Sequence, residues 1–329
     1  MQFNKIWRPT ALLLTLAVVL GSGVTGTAKA AGGNGLRVSP VRTELTIDPG
    51  KSEVVNITVT NVTTAKSDLQ AVVNDFAASS DESGQPAIVR DGASASLKHS
   101  LRQYVQAIPK FSLQPGEQRS IPVTIKIPAN AAGGGYYGSV LFAPADADPA
   151  GKNVYLAGSV GSLILVRVSG DVKSQLNLAS FDTRRKDDAK SLFTSNKGID
   201  AVVRFRNEGN IQEQPFGKIL LKNRSGKILD QYEINNTTPR GNVLPDSIRK
   251  FTIPLNKVGS FGIYKLEGNF GYGSNGQLLS ASTTFYVIPT ALIALFIVLA
   301  ALIVFLIFGL PRLIRRYNQR IIRQASRRR

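Results

Sequence analysis

The sequence offers few side chains that could carry out catalysis. It contains no Cys, which excludes thiol nucleophiles and cysteine-ligated metals, and His99 is its only His. A Ser-His-Asp catalyst would have to use His99, but residues 157–161 read Ala-Gly-Ser-Val-Gly, with Ala where a nucleophile elbow favours Gly. We therefore expect His99 to lie in a surface loop or helical turn, and the protein not to be an enzyme.

Two further patterns could bind a metal or a cofactor. Asp146, Asp148 and the pair 187–188 could contact Ca²⁺, but they lack the longer run of oxygen ligands that a site of six to eight ligands demands. The glycines at 271, 273 and 276 have the Gly-x-Gly-x-x-Gly spacing that cradles phosphates, but a strand rather than a helix follows them. We interpret them as a β-hairpin turn and expect no cofactor and no metal.

Adjacent tyrosines in the segment 129–144 are the candidate ligand contacts. Gly133-Gly134-Gly135 precedes Tyr136 and Tyr137. Neighbouring residues of a strand point to opposite faces, so one tyrosine is expected in the core. The other could be a stacking platform for a sugar ring or a peptide side chain. The alternative is that both tyrosines pack structurally.

The elements that must position these residues are strands. Apolar and polar residues alternate in 55–59, 121–127, 201–206 and 264–270, which is typical of strands with one buried face. Turn residues follow at 48–50, 81–84, 114–116, 223–226 and 273–276. The pattern predicts an all-β fold of two tandem immunoglobulin-like β-sandwich domains rather than βαβ units, with one large barrel as the less favoured alternative.

Domain boundaries follow from composition. We predict a signal peptide at 1–30, a first sandwich at 31–170, a second at 171–286, a transmembrane helix at 289–310 and a basic tail at 311–329. The two sandwiches echo each other, since Val-Asn-Ile-Thr-Val-Thr-Asn ending at Asn61 resembles Ala-Val-Val-Arg-Phe-Arg-Asn ending at Asn207. An Asn at a strand end can satisfy the turn that follows.

Both ends of the sequence carry targeting signals. Lys5 and Arg8 precede an apolar run of about ten residues and then Ala28-Lys29-Ala30, the order of a secretory signal peptide cleaved after Ala30. Near the other end, residues 291–310 are almost wholly apolar, and at about 1.5 Å per residue they cover about 30 Å, the thickness of a hydrocarbon core. The chain is therefore expected to cross a lipid bilayer once.

Arginines after this run set the expected orientation. They are Arg312, Arg315, Arg316, Arg320, Arg323, Arg327, Arg328 and Arg329, with no acidic residue among them. Short flanks rich in arginine stay in the cytoplasm, which predicts a cell-membrane protein with a cytoplasmic C-terminus and extracellular sandwiches. This explains the tail without nucleic acid, which we do not expect as a partner. Of the net charge of +18, only +7 remains between residues 31 and 311, a mild bias towards anionic wall polymers or acidic lipids.

The order of these parts resembles the bacterial WxL-interacting surface proteins. The sequence segments that carry the resemblance are Leu-Arg-Val-Ser-Pro at 36–40, Ile-Asp-Pro-Gly at 47–50, the strand ending at Asn61, and Gly-Gly-Tyr-Tyr-Gly at 134–138. The resemblance implies a first sandwich that binds peptidoglycan or another cell-wall polymer, and a second that binds surface or host proteins. It implies no catalytic residues.

Two functions from different classes follow. The first is a membrane-anchored surface protein that attaches to cell-wall peptidoglycan and presents a protein-interaction domain. The alternative is an extracytoplasmic chaperone-like accessory for surface-protein or secretion assembly, which would pair an exposed strand edge with a client.

Overall fold

A computed structural model describes residues 35–89, 97–145 and 160–326. The predicted fold class is confirmed: the chain is mostly β, with sandwiched sheets and one apolar helix near its C-terminus. The signal peptide, Asp146, Asp148 and the last three arginines lie outside these ranges.

The first sandwich packs a sheet of order β1-β3-β7 against one of order β2-β9-β8-β4-β5, with β6 beside β4. Neighbouring strands are antiparallel except the parallel pair β2 and β9. Two 3-10 turns, Leu97–His99 and Arg102–Tyr104, lie between β5 and β6. The strands are β1 Leu36–Ser39, β2 Arg42–Ile47, β3 Ser52–Asn61, β4 Ser67–Ala78, β5 Pro86–Val89, β6 Phe111–Leu113, β7 Gln118–Lys126, β8 Gly134–Pro144 and β9 Val160–Val168.

The second sandwich packs a sheet of order β11-β10-β13-β16 against one of order β12-β18-β17-β14-β15. Its strands follow residues 169–175, and no described strand of one sandwich pairs with a strand of the other. They are β10 Leu176–Arg185, β11 Asp188–Ala189, β12 Leu192–Phe193, β13 Asp200–Asn207, β14 Phe216–Asn223, β15 Ile228–Ile234, β16 Ile248–Pro254, β17 Gly262–Tyr272 and β18 Gln277–Val287.

Alternation in the sequence determines which strand face is buried. In β3 and β7 the paired Ile57 and Ile121 point into the first core, whereas their neighbours Asn56 and Pro122 are exposed. The second sandwich has its own core, in which Phe205 and Phe270 meet edge to face at 5.2 Å. Each sandwich therefore buries a separate apolar cluster.

The predicted turns all join consecutive strands. The glycines at 50, 84, 116, 226, 273 and 276 have positive φ, which glycine adopts at least cost. Gly273 and Gly276 form the hairpin turn between β17 and β18, as the sequence predicts, and no helix follows them.

Two buried asparagines end matching strands. Asn61 Nδ2 donates to the carbonyls of Ala65, Leu113 and Gln114. Asn207 Nδ2 donates to Ile211 O at 2.7 Å and Val243 O at 2.8 Å, and its Oδ1 accepts from Gly209 N at 2.9 Å. The similar sequence segments in the two sandwiches therefore have the same structural role. In each, a buried asparagine side chain makes the hydrogen bonds that the backbone after the strand requires.

The C-terminal helix extends beyond the predicted transmembrane segment, 289–310. It comprises α1 Thr290–Val304, a π turn at Phe305–Gly309, and α2 Leu310–Ser326. The predicted segment ends before Pro311, which lies inside this helix. The π turn accommodates this proline, which has no N–H to donate, so the helix continues. Thr290–Gln319 is long and apolar enough to cross a membrane, and it is not buried against the sandwiches.

Candidate functional site

Tyr136 and Tyr137 point to opposite faces of β8, as expected, but both are buried. Tyr136 lies in the first core, where its hydroxyl donates to Ala132 O at 2.9 Å and its ring meets Tyr104 edge to face at 5.3 Å. Burial raises the pKa of the Tyr136 hydroxyl. Neither ring is exposed for stacking, and structural packing, the alternative given above, describes both side chains.

Tyr137 belongs to the joint between the two sandwiches. Its hydroxyl donates to Oε1 of Gln212 in the second sandwich at 3.1 Å. Its ring packs with Phe76, Leu165 and Leu244, a small apolar cluster to which both sandwiches contribute. Burial raises the pKa of this hydroxyl well above its usual value, so it remains a neutral donor.

The glycines before the tyrosines permit close contact at the same joint. A Cβ on Gly133 would lie 2.6 Å from the backbone N of Asp171, in the connection between the sandwiches. Gly135 N donates to Asn210 O at 2.7 Å, and Asn210 Nδ2 donates to Gly133 O at 3.1 Å. The distinctive glycine and tyrosine segment therefore joins the domains, and the sequence analysis missed this role because sequence alone does not show what approaches a glycine.

His99 is half-buried at this joint rather than exposed. It lies in the 3-10 turn Leu97–His99, and Nδ1 donates to Gly135 O at 2.7 Å. Nε2 lies 3.9 Å from Oδ2 of Asp246 in the second sandwich. The helical turn was predicted correctly and the surface position was wrong, because the second sandwich covers the ring.

Carboxylates reinforce the joint. Glu44 accepts hydrogen bonds from Asn242 Nδ2 at 2.7 Å and Gln214 Nε2 at 3.1 Å. Glu82 accepts from Arg204 Nε at 2.7 Å and from its Nη2, and these bonds lower the pKa of Glu82. The joint thus combines apolar packing, ion pairing and direct hydrogen bonds, which restricts movement between the sandwiches.

The turn that carries Glu82 packs closely against the second sandwich. Glu82 has φ of +61° and its carbonyl accepts from Lys250 N at 2.9 Å. A Cβ on Gly84 would lie 2.3 Å from Cζ of Arg249. Burial lowers the pKa of Arg249, whose Nη1 donates to Asn242 O at 2.8 Å.

A different surface of the first sandwich is open to a ligand. The outer face of the β1-β3-β7 sheet, called the outer face below, combines exposed and half-buried side chains of three paired strands. By strand spacing it measures about 10 Å across and about 27 Å along β3. Its residues are Arg37, Ser39, Ser52, Val54, Asn56, Thr58, Thr60, Gln118, Ser120, Pro122, Thr124 and Lys126.

Hydroxyl and amide groups dominate the outer face. Thr58 lies between Ser39 and Ser120 in one cross-strand row, and Thr60 lies between Arg37 and Gln118 in the next. Within the described part of the chain, no hydrogen bond engages the side chain of Asn56, Thr58 or Ser120. Arg37 and Lys126 are its only charged residues. The face can therefore offer donors and acceptors to a polar ligand, with a mild preference for anions.

The alternation in 55–59 and 121–127 already indicated that Asn56, Thr58 and Thr124 face outward. The sequence analysis used this alternation to infer strands and did not consider the exposed side as a site. What sequence could not show is that β1, β3 and β7 pair so that these residues form one surface.

No group of three or more His, Asp or Glu suited to a metal ion occurs within residues 35–89, 97–145 and 160–326. Asp187 and Asp188 are highly exposed and lie near Lys250 at 3.9 Å and Lys190 at 3.3 Å, respectively.

The arginines predicted to set membrane orientation lie on α2. Arg312, Arg315 and Arg316 are exposed, and Arg312 Nη1 donates to Phe308 O at 2.8 Å. Arg320 and Arg323 lie further along the same helix. Their role in membrane orientation stays a prediction.

Comparison with known protein families finds a match for part of the chain. Residues 44–143 match the family described as WxL Interacting Protein, peptidoglycan binding domain. The match includes all of β3 and β7. No curated protein matches the chain.

Solved structures are similar in fold only. The class 5 fimbriae chaperone CfaA is 13% identical with a TM-score of 0.36, over 77% of this chain and 99% of that chain. The CsuC–CsuE chaperone–tip adhesion subunit complex of Acinetobacter baumannii is 11% identical with a TM-score of 0.33, over 66% and 90%. The E. coli chaperone DraB is 15% identical with a TM-score of 0.30, over 77% and 96%. Scores this low carry no argument about function.

Proposed function

We propose that this protein, which belongs to the WxL-interacting protein family through the peptidoglycan-binding domain at residues 44–143, attaches to cell-wall peptidoglycan by its outer face. The family assignment supports wall binding as a class of function. The outer face is our proposal for where the polymer binds.

The observation that carries the proposal is an open polar sheet face inside the matched domain. Glycan strands present hydroxyl and N-acetyl groups, and the face presents hydroxyls and amides that have no other described partner. Side chains about 4.8 Å apart within a row, in rows about 6.8 Å apart along the strands, can contact repeating polar groups without requiring a deep pocket. Many weak polar contacts to a long polymer are strengthened by multivalency.

Charge favours the peptide part of the same polymer. Arg37 and Lys126 are exposed at opposite ends of the outer face, which has no carboxylate of its own. Stem peptides carry carboxylates, so these two cations would add attraction that falls as salt screens it. Binding is therefore expected to weaken between low and moderate salt without disappearing.

We further propose single-pass anchoring in the cell membrane. The helix Thr290–Gln319 is long enough to span, and Arg312, Arg315 and Arg316 follow its apolar part. A cytoplasmic position for these arginines would place both sandwiches outside the cell. The second sandwich would then be presented at the surface, where surface or host proteins are its proposed partners.

The protein is proposed to act by binding alone, without catalysis. The matched family is a binding domain.

Sedimentation with purified peptidoglycan sacculi tests the proposal. Residues 31–288, which contain both cores, should pellet with sacculi. Thr58→Glu places a carboxylate at the centre of the outer face and should reduce the pelleted fraction at least threefold. Thr284→Glu makes the same change at an exposed position of β18 in the second sandwich and should leave pelleting unchanged.

Two results would contradict the proposal. If the wild-type fragment stays in the supernatant at low and moderate salt, wall binding is wrong. If it pellets and both variants pellet equally well, wall binding stands and the outer face is the wrong site. The chaperone-like alternative predicts no wall affinity and a client crosslinked along a strand edge.

A further inference from the structure

The membrane-facing end of the second sandwich is fixed by the chain itself. Only Ile288 and Pro289 connect the last residue of β18 to the first residue of α1 at Thr290. Ile288 N donates to Phe193 O at 2.8 Å, so even this connection is bound to the sandwich. There is no linker to hold the domain away from whatever surrounds the helix.

The length of the helix sets the depth of this connection. The first charged residue after the apolar run is Arg312. From Thr290 to Pro311 the helix extends about 33 Å, close to the hydrocarbon thickness of about 30 Å. With Arg312 at the inner boundary, Thr290 lies at the outer boundary, and the end of β18 lies in the headgroup layer.

Three exposed apolar side chains lie at this level. Leu192 is paired with Tyr286, and Phe261 directly precedes Gly262, which is paired with Val287. Phe261 is 64% exposed, Leu192 is 51% exposed and Tyr286 is 41% exposed. Tyrosine is common at membrane interfaces because its ring is apolar and its tip is polar.

Three cations at the same end have no carboxylate partner within the described residues. Lys197 follows β12, in a loop where Asn196 Nδ2 donates to Val258 O at 2.8 Å. Arg224 and Lys227 lie in the turn between β14 and β15, and all three cations are exposed. Exposed cations near an anionic leaflet are attracted to its headgroups.

We propose that these six residues, Leu192, Lys197, Arg224, Lys227, Phe261 and Tyr286, form a membrane-docking collar that contacts the anionic headgroup layer of the outer leaflet. The inference rests on the proposed membrane anchoring. It adds that the second sandwich contacts the bilayer directly instead of being connected to it by a flexible linker. This contact directs the first sandwich, and its outer face, away from the membrane.

Single-tryptophan fluorescence in vesicles tests the collar. Trp7 is the only Trp in the sequence, so a full-length Trp7→Phe chain is a Trp-free background. Phe261→Trp places the probe in the collar. Leu278→Trp places it at the opposite end of β18, at a side chain 79% exposed and about 30 Å along the strand. Phe296→Trp places it inside the proposed span.

The chains are reconstituted into phosphatidylcholine and phosphatidylglycerol vesicles that contain nitroxide lipids labelled at the headgroup or deep in the acyl chain. Both leaflets carry quencher, so the direction of insertion does not matter. Phe296→Trp should be quenched by the deep label. Phe261→Trp should be blue-shifted and quenched by the headgroup label at least threefold more than Leu278→Trp. Replacing Lys197, Arg224 and Lys227 by Gln in the Phe261→Trp chain should reduce this headgroup quenching at least twofold on anionic vesicles.

The outcomes separate the collar from the anchor. If Phe296→Trp is quenched while Phe261→Trp and Leu278→Trp are equally unquenched, the anchor stands and the collar is refuted. If Phe296→Trp is not quenched by the deep label, the anchor fails and the collar fails with it. Unchanged quenching after the three Gln substitutions would refute the electrostatic part.

Discussion

Replacing Asn207 by Ala should destabilise the second sandwich far more than its loss of size would suggest. The side chain is buried and makes three hydrogen bonds to turn backbone, two as donor and one as acceptor. Alanine leaves two carbonyls and one N–H without partners in a place closed to water. At about 1 kcal/mol for each group, the free energy of unfolding should fall by about 3 kcal/mol.

This loss is large on the thermal scale. For a domain the size of the second sandwich, 1 kcal/mol corresponds to roughly 4 °C, so the melting temperature should fall by roughly 12 °C. Calorimetry of residues 31–288 measures the transition, and amide exchange in β13 and β3 assigns it to a sandwich. Exchange should accelerate in β13 and stay near wild-type rates in β3.

Asn61→Ala is the matched control in the first sandwich. Two of its three Nδ2 contacts are longer, at 3.2 and 3.3 Å, and two of the three are only partly buried. Water can replace some of them, so the expected loss is about 2 kcal/mol and appears in β3. If Asn207→Ala costs less than about 1 kcal/mol, the turn does not depend on this side chain and the reasoning is refuted.

Three further predictions concern buried and joint residues. Burial raises the pKa of Glu213, and its Oε1 has no hydrogen-bond partner among the described residues. The free energy of unfolding should therefore fall as pH rises through that raised pKa. Glu213→Gln should raise the free energy of unfolding by about 1 kcal/mol at pH 7, measured by calorimetry. Hydrogen bonds from Arg204 lower the pKa of Glu82. The stability that this ion pair contributes is present above pH about 4.5 and is lost as pH falls through the lowered pKa. Glu82→Gln should therefore lower the free energy of unfolding by about 1 kcal/mol and speed amide exchange in the turn that carries it at pH 7 but not at low pH. Tyr137→Phe should lose about 1 kcal/mol through its bond to Gln212, with wall binding unchanged in sedimentation.

The sandwiches and their turns could be predicted because their signals are local. Alternation in 55–59 and 201–206 determines a buried face, and turns such as 273–276 require residues that tolerate positive φ. Asn61 and Asn207 could be matched because each ends an alternating strand and binds backbone four residues further on. Their other bonds, to Leu113, Gln114 and Val243, connect distant positions and could not be predicted.

The joint could not be predicted, because its contacts connect distant positions. Tyr137 contacts Gln212, 75 residues away, and Glu82 contacts Arg204, 122 residues away. Nothing near Tyr137 or His99 in the sequence indicates that a second sandwich will cover them. The same limitation applies to the outer face, which exists only because β1, β3 and β7 pair.

Mapping a soluble peptidoglycan fragment onto residues 31–288 by NMR tests the central claim most directly. With threonine methyl groups labelled, the proposal predicts shifts that saturate together at Thr58, Thr60 and Thr124, while Thr252 and Thr284 in the second sandwich do not move. Shifts confined to the second sandwich would contradict binding at the outer face. So would the absence of any shift with a saturating peptidoglycan fragment, if the same protein pellets with sacculi.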